Sequence, residues 1–222
     1  MKEQFKDQET KAPVYIVKNG LTLEGCDAIV KGLKDKTEEA SHQEVDKEGR
    51  GYLTKKNAGV RNSTIYWFMD PELKITLDNW VKVANYQAGW QYDLVDSEML
   101  QFTKYDGADK QHYSWHTDGQ GCHYAKRNFT YKENPQSLVD IRQPNLVGTV
   151  RKISLSAILN DDYEGGEFQT MHLDQGKPAI RTIKPEKGSI ILFPSSLYHR
   201  VKPVTKGIRY SVVAWYGGPP FK

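Results

Sequence analysis

Cysteine is scarce, with only Cys26 and Cys122 in 222 residues. No C-x-x-C pair exists, so a thiolate zinc site is not expected. Two thiols suffice for one disulfide, but no other feature suggests a secretory framework. Long hydrophobic runs are missing too: nothing approaches the roughly 18 apolar residues of a membrane span. The chain opens MKEQFKDQETK, a polar stretch rather than an apolar leader. Charge of one sign is also lacking. Lys plus Arg number 31 against 28 Asp plus Glu, a net of +3, and the basic residues are scattered. That balance argues against nucleic acid or an anionic membrane as partner. Neither an internal repeat nor a low-complexity segment is found. These absences leave a reduced, cytoplasmic protein as the expectation.

What is present fits a globular chain: 38% hydrophobic and 27% charged residues. The length suits one domain spanning 1–222. Residues 1–97 would supply helical and strand support, 98–216 a β core, and 119–150 an insertion within it. Val14–Val17 reads as a short strand. Thr22 is placed to cap a helix whose apolar positions Leu23, Cys26, Ile29, Val30 and Leu33 recur at helical spacing. Residues 35–60 are polar without a period and predict a long loop. Asn62–Phe68 predicts a strand. Asp70-Pro71 then starts a second helix with Leu73, Leu77, Trp80, Val81 and Ala84 as its apolar stripe, ending before Gly89.

From about residue 94 the texture changes to short strand-like runs divided by Gly, Pro, Asn and Asp. The candidates are 98–105, 111–118, 151–159, 165–171, 179–184, 188–193, 198–202 and 207–216. Many strands without intervening helices predict a sandwich or jelly roll, with the two helices on one outer face. The segment 119–150 has no clean period. Its Tyr124, Phe129 and Tyr131, with Lys126 and Arg127, would form either a lid that grips a peptide or a surface loop packed on its own aromatics.

His116-Thr117-Asp118 ends one of the strand-like runs. Residues i and i+2 of a strand share a face, so an imidazole and a carboxylate can meet one ion there. The triplet alone recurs by chance in many chains. His199 follows the apolar strand Ile190–Phe193 and is a candidate third ligand. Two His and one carboxylate leave positions open, which suits iron(II) that must also bind a cosubstrate and dioxygen. Ten residues on, Arg209 and Ser211 share a face by the same period. A guanidinium matches a carboxylate with two parallel hydrogen bonds. That carboxylate belongs either to the protein, in a structural salt bridge, or to a bound dicarboxylate whose other end reaches the iron. His42, His112, His123 and His172 lack partners at useful spacing, and Tyr113 falls on the strand face opposite His116 and is assigned to the core.

Together these motifs resemble the iron(II)/2-oxoglutarate-dependent dioxygenases, within them the prolyl 4-hydroxylase-like branch, and in particular the PKHD-type hydroxylases. The stretches that carry the likeness are QFTKYDGADKQHYSWHTD, RKISLSAILNDDYEGGEF and PEKGSIILFPSSLYHRVKPVTKGIRYSVVAWY, which cover most of 98–216. The resemblance implies a double-stranded β-helix. It implies iron on His116, Asp118 and His199, and 2-oxoglutarate held by Arg209 and Ser211 with Tyr105 in contact. It implies Arg151 and Trp215 beside the substrate, dioxygen as cosubstrate, ascorbate as a further ligand, and a prolyl residue of a peptide or protein as the group hydroxylated. Many prolyl hydroxylases have Lys where this chain has Arg209, and some animal ones have Tyr where it has Ile158. Two other readings remain: the same chemistry on a free amino acid or nucleic-acid base, and a jelly-roll binding module without catalysis.

Overall fold

The structure, a computed structural model, describes residues 12–40, 42–45, 52–55, 59–119, 144–146, 148–174 and 177–220. Two helices form where the apolar spacing places them. In the first, α1 (Leu23–Leu33), the Thr22 hydroxyl accepts the Gly25 amide, satisfying a donor that the first turn leaves free. In the second, α2 (Pro71–Gln87), the Asp70 carboxylate accepts the Leu73 amide, and Pro71 occupies the first turn, where its missing N–H costs nothing. Leu73, Leu77, Val81 and Ala84 of α2 are buried on one stripe. The helix closes at Ala88, and Gly89 takes a φ of 69° that lets the chain turn away.

The strands form two facing antiparallel sheets. The larger runs in the order Tyr15–Val17, Ile190–Pro194, Val150–Ile158, Ile208–Gly218, Leu100–Asp106, Thr64–Phe68 and Glu38–Glu39, with Asp96–Ser97 also paired to Ile208–Gly218. The smaller runs Lys177–Ile183, Phe168–Asp174, Tyr198–Val201, His112–His116 and Arg61–Asn62. Each of the eight strand-like runs read from residue 94 onward overlaps an observed strand.

Alternation along the larger sheet sorts side chains between two environments. Leu100, Phe102, Leu155, Leu192, Val212 and Ala214 face outward and pack with Cys26 of α1 and the stripe of α2. Tyr105, Ile158, Ile191 and Phe193 face inward and meet Phe168 and Val201 of the smaller sheet. Both helices therefore cover one outer face, and the inter-sheet space is apolar on that side of the cavity described below. This is the jelly-roll arrangement, mainly β with N-terminal helices, that the sequence predicts. Two indoles pin residues 12–20 to this layer: Trp80 Nε1 donates to the Gly20 carbonyl at 3.0 Å and Trp90 Nε1 to that of Ala12 at 2.7 Å.

The reading of 35–60 as a loop is corrected. Glu38–Glu39 adds a strand to the larger sheet, and His42–Val45 pairs with Tyr52–Lys55. Main-chain hydrogen bonds hold such a ladder whatever the side chains, so polar strands carry no apolar period to detect. Cys26 is a free, buried thiol; Cys122 lies outside the described residues. Among the described residues, no helix is long and apolar enough to cross a membrane.

Leu77 is fully buried under α2 and remote from the polar residues discussed next. Leu77→Ala is expected to lower the unfolding free energy by about 2–5 kcal/mol, read from urea denaturation, by removing apolar contact and leaving a cavity. A loss below ~1 kcal/mol would show that α2 is not an integral part of the core.

Candidate metal and dicarboxylate site

His116 ends the strand His112–His116, and its Cα pairs directly with that of His199 on the neighbouring strand Tyr198–Val201. The register then slips: Val201 pairs with Tyr113, so the His116 strand holds one residue more than its partner over this stretch. The bulge brings Tyr113 and His116 together, with ring centroids 3.5 Å apart and planes within 17°. Tyr113 thus joins the wall of the site, and its assignment to the opposite face is corrected. The regular period-two rule failed at the one point where the strand is irregular.

Each imidazole is oriented from behind. His116 Nδ1 lies 2.7 Å from the Ser114 carbonyl, and His199 Nδ1 lies 2.9 Å from that of Leu197. A carbonyl only accepts, so each Nδ1 carries a hydrogen and Nε2 is the ring atom turned toward the site. Both Nε2 atoms face one carboxylate: His116 to Asp118 Oδ1 at 3.4 Å and His199 to Asp118 Oδ2 at 3.5 Å. The donor atoms of the three residues all lie within 4.8 Å of one another, close enough to hold one metal ion. Two imidazoles and one carboxylate lining one cavity form the donor set that suits iron(II) with exchangeable positions.

The charge states agree with that use. Burial pushes the Asp118 carboxyl up, but His199, His116 and Arg151 outweigh it and hold it well below the usual carboxylate range. Burial, against the opposing pull of Asp118, lowers His199 to about 4. At neutral pH the site therefore offers an ionised carboxylate beside a neutral imidazole.

Facing this group from the larger sheet is Arg209, which is 1% exposed. Its Nη1 donates to the Ser211 hydroxyl at 3.1 Å, while its buried Nε has no partner. Among the described residues, no carboxylate pairs with it. A buried guanidinium without an anion beside it is costly, and among the described residues none supplies that anion. Gly166, at φ 64°, lies so close that a Cβ there would come within 3.1 Å of Arg209 Cδ. The structural-salt-bridge alternative for Arg209 finds no support among these contacts.

Both halves open on one cavity, which His116, Asp118, His199, Arg209, Ser211 and Tyr105 all line. Tyr105 is 4% exposed, its ring 5.5 Å from the Arg209 guanidinium, and its hydroxyl stays protonated because burial raises its pKa. Burial likewise pushes Tyr113 up to about 12. Trp215 also lines the cavity. Arg151 does not present its fork there: its Nε and Nη2 donate to the two carboxylate oxygens of Glu98, each at 2.6 Å. His112 bonds to the Lys110 and Gly59 carbonyls, apart from the cluster. Most of the segment 119–150, including His123 and the aromatics of the suggested lid, lies outside the described residues.

Sequence reasoning missed Tyr113, Glu98 and Arg61 as residues of this region. Arg61 lines the cavity and hydrogen-bonds Gln101 Oε1 at 2.8 Å and the Ser63 hydroxyl at 3.0 Å. Gln101 and Thr103 were findable, since they lie four and two residues before Tyr105 on the same face of Leu100–Asp106. Glu98 precedes that strand and carries no periodic signal.

The depressed pKa of His199 fixes a pH dependence. An unfolded histidine takes a proton near pH 6.5, while His199 in the folded chain resists until about 4. Between these values the unfolded state binds more protons, so metal-free protein is expected to lose stability as pH falls through that window. Urea midpoints at pH 7 and 4.5 measure this, and His199→Gln should show a shallower loss. An equal loss in the variant would assign the effect to other groups.

A family model described as "2OG-Fe(II) oxygenase superfamily" matches residues 100–217, more than half of the chain. Among curated relatives, a PKHD-type hydroxylase of Synechococcus sp. (strain JA-2-3B'a(2-13)) is 34% identical over 94 residues, which are 42% of this chain and 39% of that protein. Human prolyl 3-hydroxylase 2 is 43% identical over 70 residues, 31% of this chain and 10% of that one. The chain thus spans well under two thirds of these relatives. Among solved structures, a viral collagen prolyl hydroxylase of Paramecium Bursaria Chlorella virus-1, in its 2OG complex, superposes with a TM-score of 0.61 at 19% identity, covering 93% of this chain and 97% of that one. At that identity the likeness concerns the fold. On the match across 100–217, which contains all three candidate metal ligands, Arg209 and Ser211, the chain belongs to the 2OG-Fe(II) oxygenase superfamily.

Proposed function

We propose that this chain is an iron(II)- and 2-oxoglutarate-dependent dioxygenase that hydroxylates an unactivated C–H bond, with a prolyl residue of a peptide or protein as its substrate. The observation that carries this reading is Arg209: a buried guanidinium without a carboxylate partner among the described residues, in the same cavity as His116, Asp118 and His199. A binding module has no need of a metal site and a dicarboxylate site facing each other. The names of the relatives, PKHD-type hydroxylase and prolyl 3-hydroxylase 2, support the prolyl part.

In this reading iron(II), with 2-oxoglutarate and dioxygen, supplies the oxidising power, yielding succinate, carbon dioxide and the hydroxylated product. The protein supplies geometry. His116, Asp118 and His199 would hold the ion. Arg209 would bind the far carboxylate of 2-oxoglutarate through its fork, Ser211 would turn its hydroxyl hydrogen toward that carboxylate, and the protonated Tyr105 hydroxyl would donate to the cosubstrate. Phe168, Phe193 and Trp215 exclude water from the cavity. Trp215 forms the wall that the substrate meets. Ascorbate belongs to this proposal as a reductant that keeps iron ferrous. The one-domain organisation over 1–222 is part of the same reading.

A second substrate class has one observation in its favour. Arg61 lines the cavity, and among the described residues its hydrogen bonds go to neutral acceptors, so a carboxylate-bearing substrate such as a free amino acid would find a partner there.

Anaerobic titration with iron(II) and then 2-oxoglutarate, followed by the visible charge-transfer band of the chelate, tests the cosubstrate assignment. The wild type should give the band and His199→Ala should not. Arg209→Ala should need roughly thirty-fold more 2-oxoglutarate, the equivalent of ~2 kcal/mol in charge-assisted hydrogen bonds. A wild type that binds iron but gives no band would overturn the proposal. Succinate release with prolyl peptides against free amino acids then separates the two substrate classes.

A further inference from the structure

The carboxylate ligand is the least anchored of the three by regular structure. His116 and His199 sit on paired strands, whereas Asp118 lies two residues beyond the end of His112–His116 and past its bulge. Its backbone is held from the opposite sheet instead. The Asp118 and Gly119 amides both donate to the Ser195 carbonyl, at 3.0 and 2.9 Å. Ser195 is in turn fixed by its amide on the Lys152 carbonyl at 2.9 Å and by its hydroxyl 2.9 Å from that of Ser154.

The Asp118 carbonyl is engaged by Arg151, whose Nη1 donates to it at 3.2 Å. Arg151 stands where the pairing of Val150–Ile158 with Ile208–Gly218 slips, between Arg151 and Ile153, and such an irregularity re-aims a side chain. The rest of its fork is taken by Glu98, which is 4% exposed, through two bonds of 2.6 Å. The guanidinium lies 4.2 Å over the Trp215 ring, and the Glu98 amide donates to the Trp215 carbonyl at 2.8 Å. The loop is closed: Trp215 places Glu98, Glu98 orients Arg151, and Arg151 fixes Asp118. A buried ion pair is by itself weak evidence of anything but its own cost. What singles this one out is its third bond, aimed at the backbone of the carboxylate that faces both imidazoles.

We propose that Glu98 and Arg151 are positioning residues that set the height and angle of the Asp118 carboxylate against His116 and His199. This rests on the reading of Asp118 as a metal ligand. It gives Arg151 a role other than substrate contact, with all three anchored N–H directions used inside the protein. Partners at one remove from a metal ligand typically change metal affinity by about 10–100-fold when removed.

Cobalt(II), which gives a visible spectrum sensitive to its ligand geometry, is the probe for the test. Wild type, Arg151→Met, Arg151→Lys, Glu98→Gln and Lys74→Met are titrated with it, and thermal midpoints are recorded without metal. Lys74 pairs with Asp78 and Asp96 on the helix side, so Lys74→Met reports the loss of an ion-pair cluster unrelated to the metal. Arg151→Met and Glu98→Gln are expected to bind cobalt about 10–100-fold more weakly, with a shifted spectrum. Arg151→Lys, which keeps the charge and loses the fork, should fall between. Lys74→Met should lower only the thermal midpoint. If Arg151→Met fails to fold, Glu98→Gln and Arg151→Lys decide. Folded variants with wild-type cobalt affinity and spectrum would overturn the positioning role alone. A wild type that takes up no cobalt would sink the metal reading, and the positioning role with it.

Discussion

The strand Ile208–Gly218 is the constraint on which the molecule depends. It pairs with Val150–Ile158 on one side and with Leu100–Asp106 and Asp96–Ser97 on the other. Strict alternation along it sends Tyr210, Val212, Ala214 and Tyr216 toward the helices and Arg209, Ser211, Val213 and Trp215 toward the cavity. The same backbone thus anchors the apolar layer and presents the guanidinium. Shifting its register by one residue would exchange the two sets, placing Arg209 in hydrocarbon and Val212 in the site. Fold and chemistry are therefore specified by one pattern, and neither can drift without the other.

Where a pattern governs, the sequence is readable. The caps at Thr22 and Asp70, the stripe of α2 and the run Ile208–Gly218 follow from local spacing, and the structure places them accordingly. His116, Asp118, His199 and Arg209 were legible for a different reason: their residue types and separations match a family motif, and the fold brings them to one cavity. The failures are equally physical. His42–Val45 and Tyr52–Lys55 pair through backbone bonds that polar side chains neither advertise nor prevent. Tyr113 was misplaced because a bulge breaks the alternation used to place it. Glu98 could not be found from sequence, since its meaning comes from Arg151, 53 residues away.

The charges around the cavity fall into two kinds. Arg151 is matched inside the protein by Glu98, so its charge is spent on geometry. Arg209 and Arg61 face the same space, and among the described residues their hydrogen bonds go to neutral acceptors, Ser211 for one and Gln101 with Ser63 for the other. A desolvated cation raises the affinity of its surroundings for anions far more than an exposed one does. The buried Arg209 is accordingly the stronger attractor and the half-buried Arg61 the weaker. This ranking fits the dicarboxylate proposed at Arg209.

The three candidate metal donors all come from the smaller sheet and its loop, while Arg209 and Ser211 come from the larger one. A molecule gripping the ion at one end and Arg209 at the other would act as a strut across the sandwich. Filling the site would then change the mechanics of the whole β core. The two sheets would lose the freedom to slide or gape, and a protease probing their edges would sense cosubstrate bound deep between them.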